Sequence, residues 1–135
     1  MSYISKDEQI LIKISKYMDK LEYLYSHIQD LSDSEIDEGI EGLALAQCVT
    51  NLFELAIRLE NDEVAEKLSI LSSGRTARLR NINSHDYDAV DWVVAKDICR
   101  KILAKVTTKL LGTCTNIILQ KKHEIKDYNS KNKGE

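Results

Sequence analysis

The helical spacing of the apolar residues, in a chain without proline, most constrains the fold. The 135 residues include no proline and only 5 glycines. Apolar residues recur at intervals of three and four, which places them on one face of an α-helix. Aromatic residues make up 6% of the chain, and β-branched runs are short. Few segments therefore suit a sheet, and the sequence predicts an all-α protein.

The first helix has both a start signal and an apolar face. Ser5 followed by Glu8 is the capping-box pattern, in which each side chain accepts a hydrogen bond from the other residue's backbone N–H. His27 lies near the end of this helix, where we expect a surface or boundary position. The apolar face consists of Ile10, Ile14, Tyr17, Leu21, Leu24 and Ile28.

A second helix is predicted from about residue 35 to residue 59. Either Ser32 with Glu35 or Ser34 with Asp37 can cap it. Its centre is apolar on more than one side, which is typical of a helix in the middle of a bundle or at an oligomer interface. Polar residues that interrupt this surface need partners if they are buried. They are Gln47, Asn51 and Glu54.

A short helix and a long last helix are predicted in the remaining chain. Asn61 and Asp62 form a turn and cap, and residues 72–74 break or kink the chain. Helix can resume from residue 76 to about 84, and the last helix has Trp92 in its first turn. The inward residues of the short helix are Val64, Leu68 and Leu71. The last helix has an apolar face of Cys99, Leu103, Val106, Leu110, Cys114 and Ile117, and a solvated basic face of Lys96, Arg100, Lys101, Lys105 and Lys109.

Residues 1–120 are therefore predicted to form one domain, an up-and-down bundle of four or five helices. From residue 121 to 135 the composition becomes polar and the apolar period stops, so this tail, with His123, is predicted to be disordered.

Composition argues against several classes of protein. No apolar run approaches the ~20 residues that span a bilayer, and the N-terminus does not resemble a signal peptide. The three separated cysteines indicate buried, reduced thiols, and we expect a cytoplasmic protein that does not act at a membrane. The net charge of −3 gives no general attraction to nucleic acid, so RNA binding would need a local basic patch.

Candidate functional residues cluster between residues 75 and 87. Arg75, Arg78 and Arg80 form a run without an acidic residue, and Asn81 and His85 lie one helical turn apart. Arg80 and His85 are roughly 140° apart around an ideal helix. They converge on one phosphate only if Arg80 reaches around the helix, if the helix ends near residue 84, or if a second copy of the chain contributes.

This chemistry suits metal-independent RNA cleavage. A histidine can take a proton from a ribose 2′-hydroxyl or give one to the leaving oxygen, and an arginine can stabilise the charge on the phosphate. Asn81 can orient the imidazole or bind a phosphate oxygen. We predict no metal and no cofactor. The simpler alternative is a helix-end salt bridge and cap, with Tyr87 packed at the surface and Arg75 and Arg78 solvated.

The pattern R-N-x-x-x-H-x-Y, formed by Arg80, Asn81, His85 and Tyr87, resembles the signature of HEPN domains. It is most similar to that of the HepT-like toxins that pair with minimal nucleotidyltransferases. The resemblance covers residues 74–92 in detail and roughly 5–120 in the order of elements. Ser84 departs from the apolar residue that many relatives carry before the histidine.

The resemblance implies a homodimer with a composite cleft and metal-independent endoribonuclease activity on tRNA or mRNA. It maps Arg80 and His85 onto the catalytic pair and Asn81 onto the supporting position. Tyr87 maps onto the tyrosine that a nucleotidyltransferase antitoxin modifies with AMP, as in a type II/VII-like toxin–antitoxin system. Glu54 loosely resembles an acidic residue on the second long helix. The alternatives are a non-catalytic helical partner or substrate-binding subunit of a nucleotidyltransferase, and a purely structural bundle.

Overall fold

The structure is a computed structural model that describes residues 4–72 and 92–133, with side chains through residue 125. Within these ranges it contains only helices and connections, which confirms the all-α prediction. The described ranges contain six α-helices, more than the expected four or five, because two of the predicted helices are each divided. The elements are α1 (Lys6–Ile28), α2 (Asp33–Glu38), α3 (Glu41–Ala56), α4 (Asp62–Lys67), a 3-10 turn (Ser69–Ser72), α5 (Trp92–Lys105) and α6 (Thr108–Lys133).

Helix α1 begins at the predicted capping box. The hydroxyl of Ser5 accepts a hydrogen bond from the Glu8 backbone N–H at 3.2 Å, and the Glu8 carboxylate accepts one from the Ser5 N–H at 3.4 Å. The predicted apolar face packs into the core, with Tyr17 and Leu24 half-buried at its margin. His27 is exposed, as expected. The fully or nearly buried residues of this face are Ile10, Ile14, Leu21 and Ile28.

The predicted second helix is divided into α2 and α3, which corrects the sequence interpretation. The Ser32–Glu35 capping box starts α2, but Gly39 is extended (φ −99°, ψ −177°) and ends it. A Cβ at Gly39 would lie 3.3 Å from the Glu35 carbonyl oxygen, and glycine is a poor helix former. Helix α3 then starts at Glu41 and ends at Ala56, three residues before the predicted end.

Helices α1 and α3 form the most extensive helix pair among the described elements. One face of α3 is buried against α1 and the 3-10 turn, whereas Leu43, Gln47 and Glu54 on the other face are exposed. Helix α3 therefore has a solvent-exposed side in the monomer. The inward residues predicted after α3 are placed as expected: Val64, Leu68 and Leu71 are all completely buried.

The predicted last helix is also divided, at Val106 and Thr107, between α5 and α6. The Thr107 hydroxyl accepts a hydrogen bond from the Leu110 N–H at 3.1 Å, which caps the new helix, and the two helices are bent by 54°. Val106 is buried at the bend. The Thr107 cap starts a new helix, and the buried Val106 keeps the apolar spacing unbroken across the bend. One continuous apolar pattern therefore spans two helices.

Residues 121–133 are helical, whereas we expected a disordered tail from residue 121. No glycine or proline occurs between residues 113 and 133, so nothing in this composition stops the helix. The ammonium group of Lys122 also lies 3.3 Å from the carboxylate of Glu8, which ties this part of α6 to the start of α1.

Two polar side chains join elements that are distant in the chain. The carboxylate of Asp7 accepts hydrogen bonds from the backbone N–H groups of Glu60 and Asn61 at 3.0 and 2.9 Å. Lys96, expected on a solvated face, is half-buried, and its ammonium group donates to the Leu31 carbonyl at 2.7 Å. The rest of that basic face, including Lys105 and Lys109, is exposed as predicted.

Within the described ranges, no single helix has both the length and the apolar character needed to cross a lipid bilayer. Helix α5 together with α6 up to Ile125 meets those criteria of length and composition only as a bent pair.

Candidate functional site

The predicted catalytic cluster lies outside the described residues. It comprises the proposed pair Arg80 and His85, and their neighbours Asn81, Tyr87, Arg75 and Arg78. Their predicted roles therefore stay predictions.

The described residues on either side of that cluster are firmly packed. Leu71 and Trp92 are completely buried in the same core. The indole N–H of Trp92 donates to the carboxylate of Asp37 at 2.5 Å, which holds the start of α5 against α2. The core therefore anchors the chain shortly before and shortly after the motif.

A groove between α1 and α3 is a strongly charged concave surface formed by described residues. Its basic half has a volume of about 320 Å³. Four cations line this half, facing one carboxylate, that of Glu54. The cations are Lys13, Lys16, Lys20 and Arg58. We call this surface, together with the apolar half described below, the α1–α3 groove.

Helical geometry explains the arrangement of the cations. Lys13, Lys16 and Lys20 are spaced by three and four residues, so they project from one side of α1. Arg58 follows the end of α3 and reaches the same groove from the opposite wall. None of the four makes an ion pair with another described residue. Like charges one turn apart disfavour a helix by ~0.2–0.5 kcal/mol per pair, so this cluster is not explained by helix stability.

The other half of the groove is apolar and carries aromatic rings. It has a volume of about 580 Å³ and is lined by Tyr23, Leu24 and Ala44, among others. Tyr17, Lys20 and Asn51 line both halves, so the two are continuous. Tyr23 is 65% exposed, and its ring lies against the ring of His27, with centroids 4.3 Å apart. The groove therefore combines cations with accessible aromatic surface.

The polar residues of α3 are satisfied or exposed rather than buried without partners. The side-chain amide of Gln47 donates to the side-chain oxygen Oδ1 of Asn51 at 3.1 Å. Glu54 is exposed in the basic half of the groove. Glu54, which loosely resembles an acidic residue of HEPN domains, therefore lies in the α1–α3 groove.

The sequence interpretation did not single out the α1–α3 groove. The spacing of Lys13, Lys16 and Lys20 was a visible signal, because it predicts one basic stripe on α1. The position of Arg58 opposite that stripe depends on how α1 and α3 pack, which no local pattern specifies.

The three cysteines are buried and unpaired, as predicted. Burial raises the pKa of Cys48 to about 11 and that of Cys99 to about 12. It also raises the pKa of Cys114. The thiolate, which is the nucleophilic form, is therefore strongly disfavoured at neutral pH, and none of these thiols is a candidate nucleophile.

No protein-family model matches this chain, and neither a curated protein nor a solved structure matches it.

Proposed function

We propose that this chain is a HEPN-type, HepT-like toxin that cleaves RNA without a metal ion. The observation that carries the proposal is the R-N-x-x-x-H-x-Y pattern from Arg80 to Tyr87. The all-α fold, with buried anchors at Leu71 and Trp92, is consistent with the helical setting in which that pattern occurs.

In the proposed mechanism, the chain forms a homodimer and two copies of the motif face one cleft. The imidazole of His85 takes the proton of a ribose 2′-hydroxyl, and the resulting oxygen attacks the adjacent phosphorus. The 5′-oxygen of the next nucleotide leaves and takes a proton from water, and a 2′,3′-cyclic phosphate remains on the preceding nucleotide. Arg80 stabilises the negative charge on the phosphate during this step, and Asn81 orients the imidazole.

A nucleotidyltransferase antitoxin would silence this site through Tyr87. The phenol oxygen attacks the α-phosphate of ATP, AMP is transferred to the tyrosine, and pyrophosphate leaves. The product carries added bulk and negative charge two residues from His85, where the substrate phosphate binds. The adduct therefore competes with RNA for the same position.

Cleavage of purified tRNA and total RNA in EDTA tests the catalytic part of the proposal. We expect the wild type to cleave, and His85→Ala and Arg80→Ala to lose about 100-fold or more of the rate. His123→Ala is the matched control, since His123 is an exposed histidine on α6 and should retain full activity. Equal residual cleavage in all variants would indicate a contaminating nuclease.

The second candidate function is a non-catalytic partner or substrate-binding subunit of a nucleotidyltransferase. It uses the same Tyr87 and the same arginines but involves no cleavage. Incubation with a nucleotidyltransferase encoded beside this chain, and with ATP, separates the two functions. AMP addition to the wild type but not to Tyr87→Phe, without any RNA cleavage in the unmodified protein, would favour the partner function.

A further inference from the structure

We propose that the α1–α3 groove binds single-stranded RNA. Lys13, Lys16, Lys20 and Arg58 would contact successive phosphates, and Tyr23 would stack against a base. The choice of RNA as the ligand rests on the proposed function, and the groove is a binding surface additional to the motif at residues 80–87.

The charge of the groove supports a polyanionic ligand. The whole chain has a net charge of −3, yet the basic half carries four cations against the single carboxylate of Glu54. Asp19 is the acidic residue that lines the apolar half. A local excess of positive charge on an acidic protein is the patch that RNA binding requires here.

The shape of the groove supports an extended strand. From Lys13 to Tyr23 the axis of α1 rises about 15 Å, enough to lie along a few nucleotides. Several phosphates along a strand can therefore be contacted together, which a single phosphate ion cannot reproduce.

The aromatic rings distinguish RNA from an acidic peptide. Proteins that bind single strands pair a basic groove with aromatic side chains on which bases stack. Tyr23 offers such a ring at the surface beside Lys20, while Tyr17 is half-buried with the Lys20 ammonium group 5.0 Å from its ring centroid. An acidic peptide would use the cations but gain little from the exposed ring of Tyr23.

Fluorescence anisotropy with a labelled oligouridine 12-mer, in EDTA, tests the proposal. The His85→Ala background keeps the RNA intact, and an Arg80→Ala background repeats the measurement. We compare Lys13→Gln/Lys16→Gln/Lys20→Gln with Lys105→Gln/Lys109→Gln/Lys121→Gln. Each triple variant removes three exposed lysines and takes the net charge from −3 to −6, so only the location of the lost charge differs.

The groove variant should bind about tenfold or more weakly at 0.1 M salt, and the slope of log K against log salt should fall by about 2. The control variant should stay close to the unsubstituted protein. Tyr23→Ala should weaken binding about fivefold or more, and Tyr23→Phe should restore it. Because all these side chains are exposed, urea unfolding should show that every variant remains folded.

Equal losses in the two triple variants, or no loss in the groove variant, would overturn the proposal. So would a groove variant that changes the oligomeric state in sedimentation velocity while RNA affinity is unchanged, because the surface would then be a protein interface. These outcomes are independent of the proposed function. If the wild type bound RNA through the groove but never cleaved it, the proposed nuclease function would be contradicted and the proposed RNA binding would stand.

Discussion

At the residue scale, Trp92 organises the junction of three helices. Its side chain is completely buried, its indole N–H is bonded to Asp37 of α2, and its ring lies against Gly42 of α3. Trp92 is also the first residue of α5 after the predicted motif. Its packing therefore fixes the start of α5 in the core.

Gly42→Ala should destabilise the protein because a Cβ at residue 42 would lie 2.6 and 2.8 Å from two atoms of the Trp92 ring. Overpacking of this kind costs about 1–3 kcal/mol. Gly112→Ala is the matched control, since residue 112 is an exposed position in α6 with no atom within 4 Å of the added methyl group.

Both substitutions gain helix propensity, so Gly112→Ala should be neutral or stabilising by up to about 1 kcal/mol. The difference between the two free energies of unfolding, measured in urea, isolates the contact with Trp92. Equal effects of the two substitutions would show that the Trp92 ring moves aside without cost.

At the scale of helices, the start signals were read correctly and the interruptions were not. The capping box at Ser5 and the cap at Asn61 are formed as predicted. Of the two capping boxes that could start the second helix, the one at Ser32 is formed. The breaks at Gly39 and Thr107 were missed because the apolar period continues across them. A glycine or threonine inside a periodic segment is compatible with an unbroken helix, and the direction of the next helix depends on what it packs against.

The capping box of α1 makes stability depend on pH. Burial disfavours the charged form of Glu8, but the hydrogen bond from the Ser5 N–H and the ion pair with Lys122 outweigh it and lower the pKa. Because the folded pKa lies below the unfolded one, the stabilisation is present above the unfolded value of about 4.3 and is lost as pH falls through the folded pKa.

Glu8→Gln should therefore lower the free energy of unfolding at pH 7, by an amount that shrinks as the pH falls below about 4.3. Glutamine keeps the cap geometry but not the charge that pairs with Lys122. Glu22→Gln, an exposed change on the same helix, should show no such trend in urea unfolding between pH 3 and pH 7. If Glu8→Gln lowered the free energy of unfolding by the same amount at every pH, the charge of Glu8 would not be the cause.

At the scale of the whole molecule, the proposed catalytic site requires two chains. The cleft is proposed to draw the motif from both protomers. A dimer of one Arg80→Ala chain and one His85→Ala chain then still contains one Arg80 and one His85, on different chains. The two homodimers contain no complete pair.

Mixing the two inactive variants under conditions of subunit exchange should therefore restore part of the RNA cleavage in EDTA. Random exchange makes about half of the dimers mixed, which sets the upper limit of the recovery. Native mass spectrometry checks that exchange has occurred. Mixed dimers without activity would mean that each chain uses its own arginine and histidine.

The all-α class, the starts of α1, α2 and α4, and most of the buried residues among those described could be predicted from the sequence alone. These follow from local rules: the apolar period selects a face, and a capping residue acts within one turn. The R-N-x-x-x-H-x-Y pattern is equally local, and it carries the proposed chemistry.

The positions at which helices are interrupted, and the contacts between side chains distant in the chain, are set by tertiary packing. Lys96 donates to the Leu31 carbonyl beyond the end of α1, and the Trp92 ring packs against Gly42. Arg58 lies across the groove from the lysines of α1. Each of these depends on packing between helices that are far apart in the chain, which a local pattern does not encode. For the same reason the α1–α3 groove emerged from the packing of the helices and not from any motif.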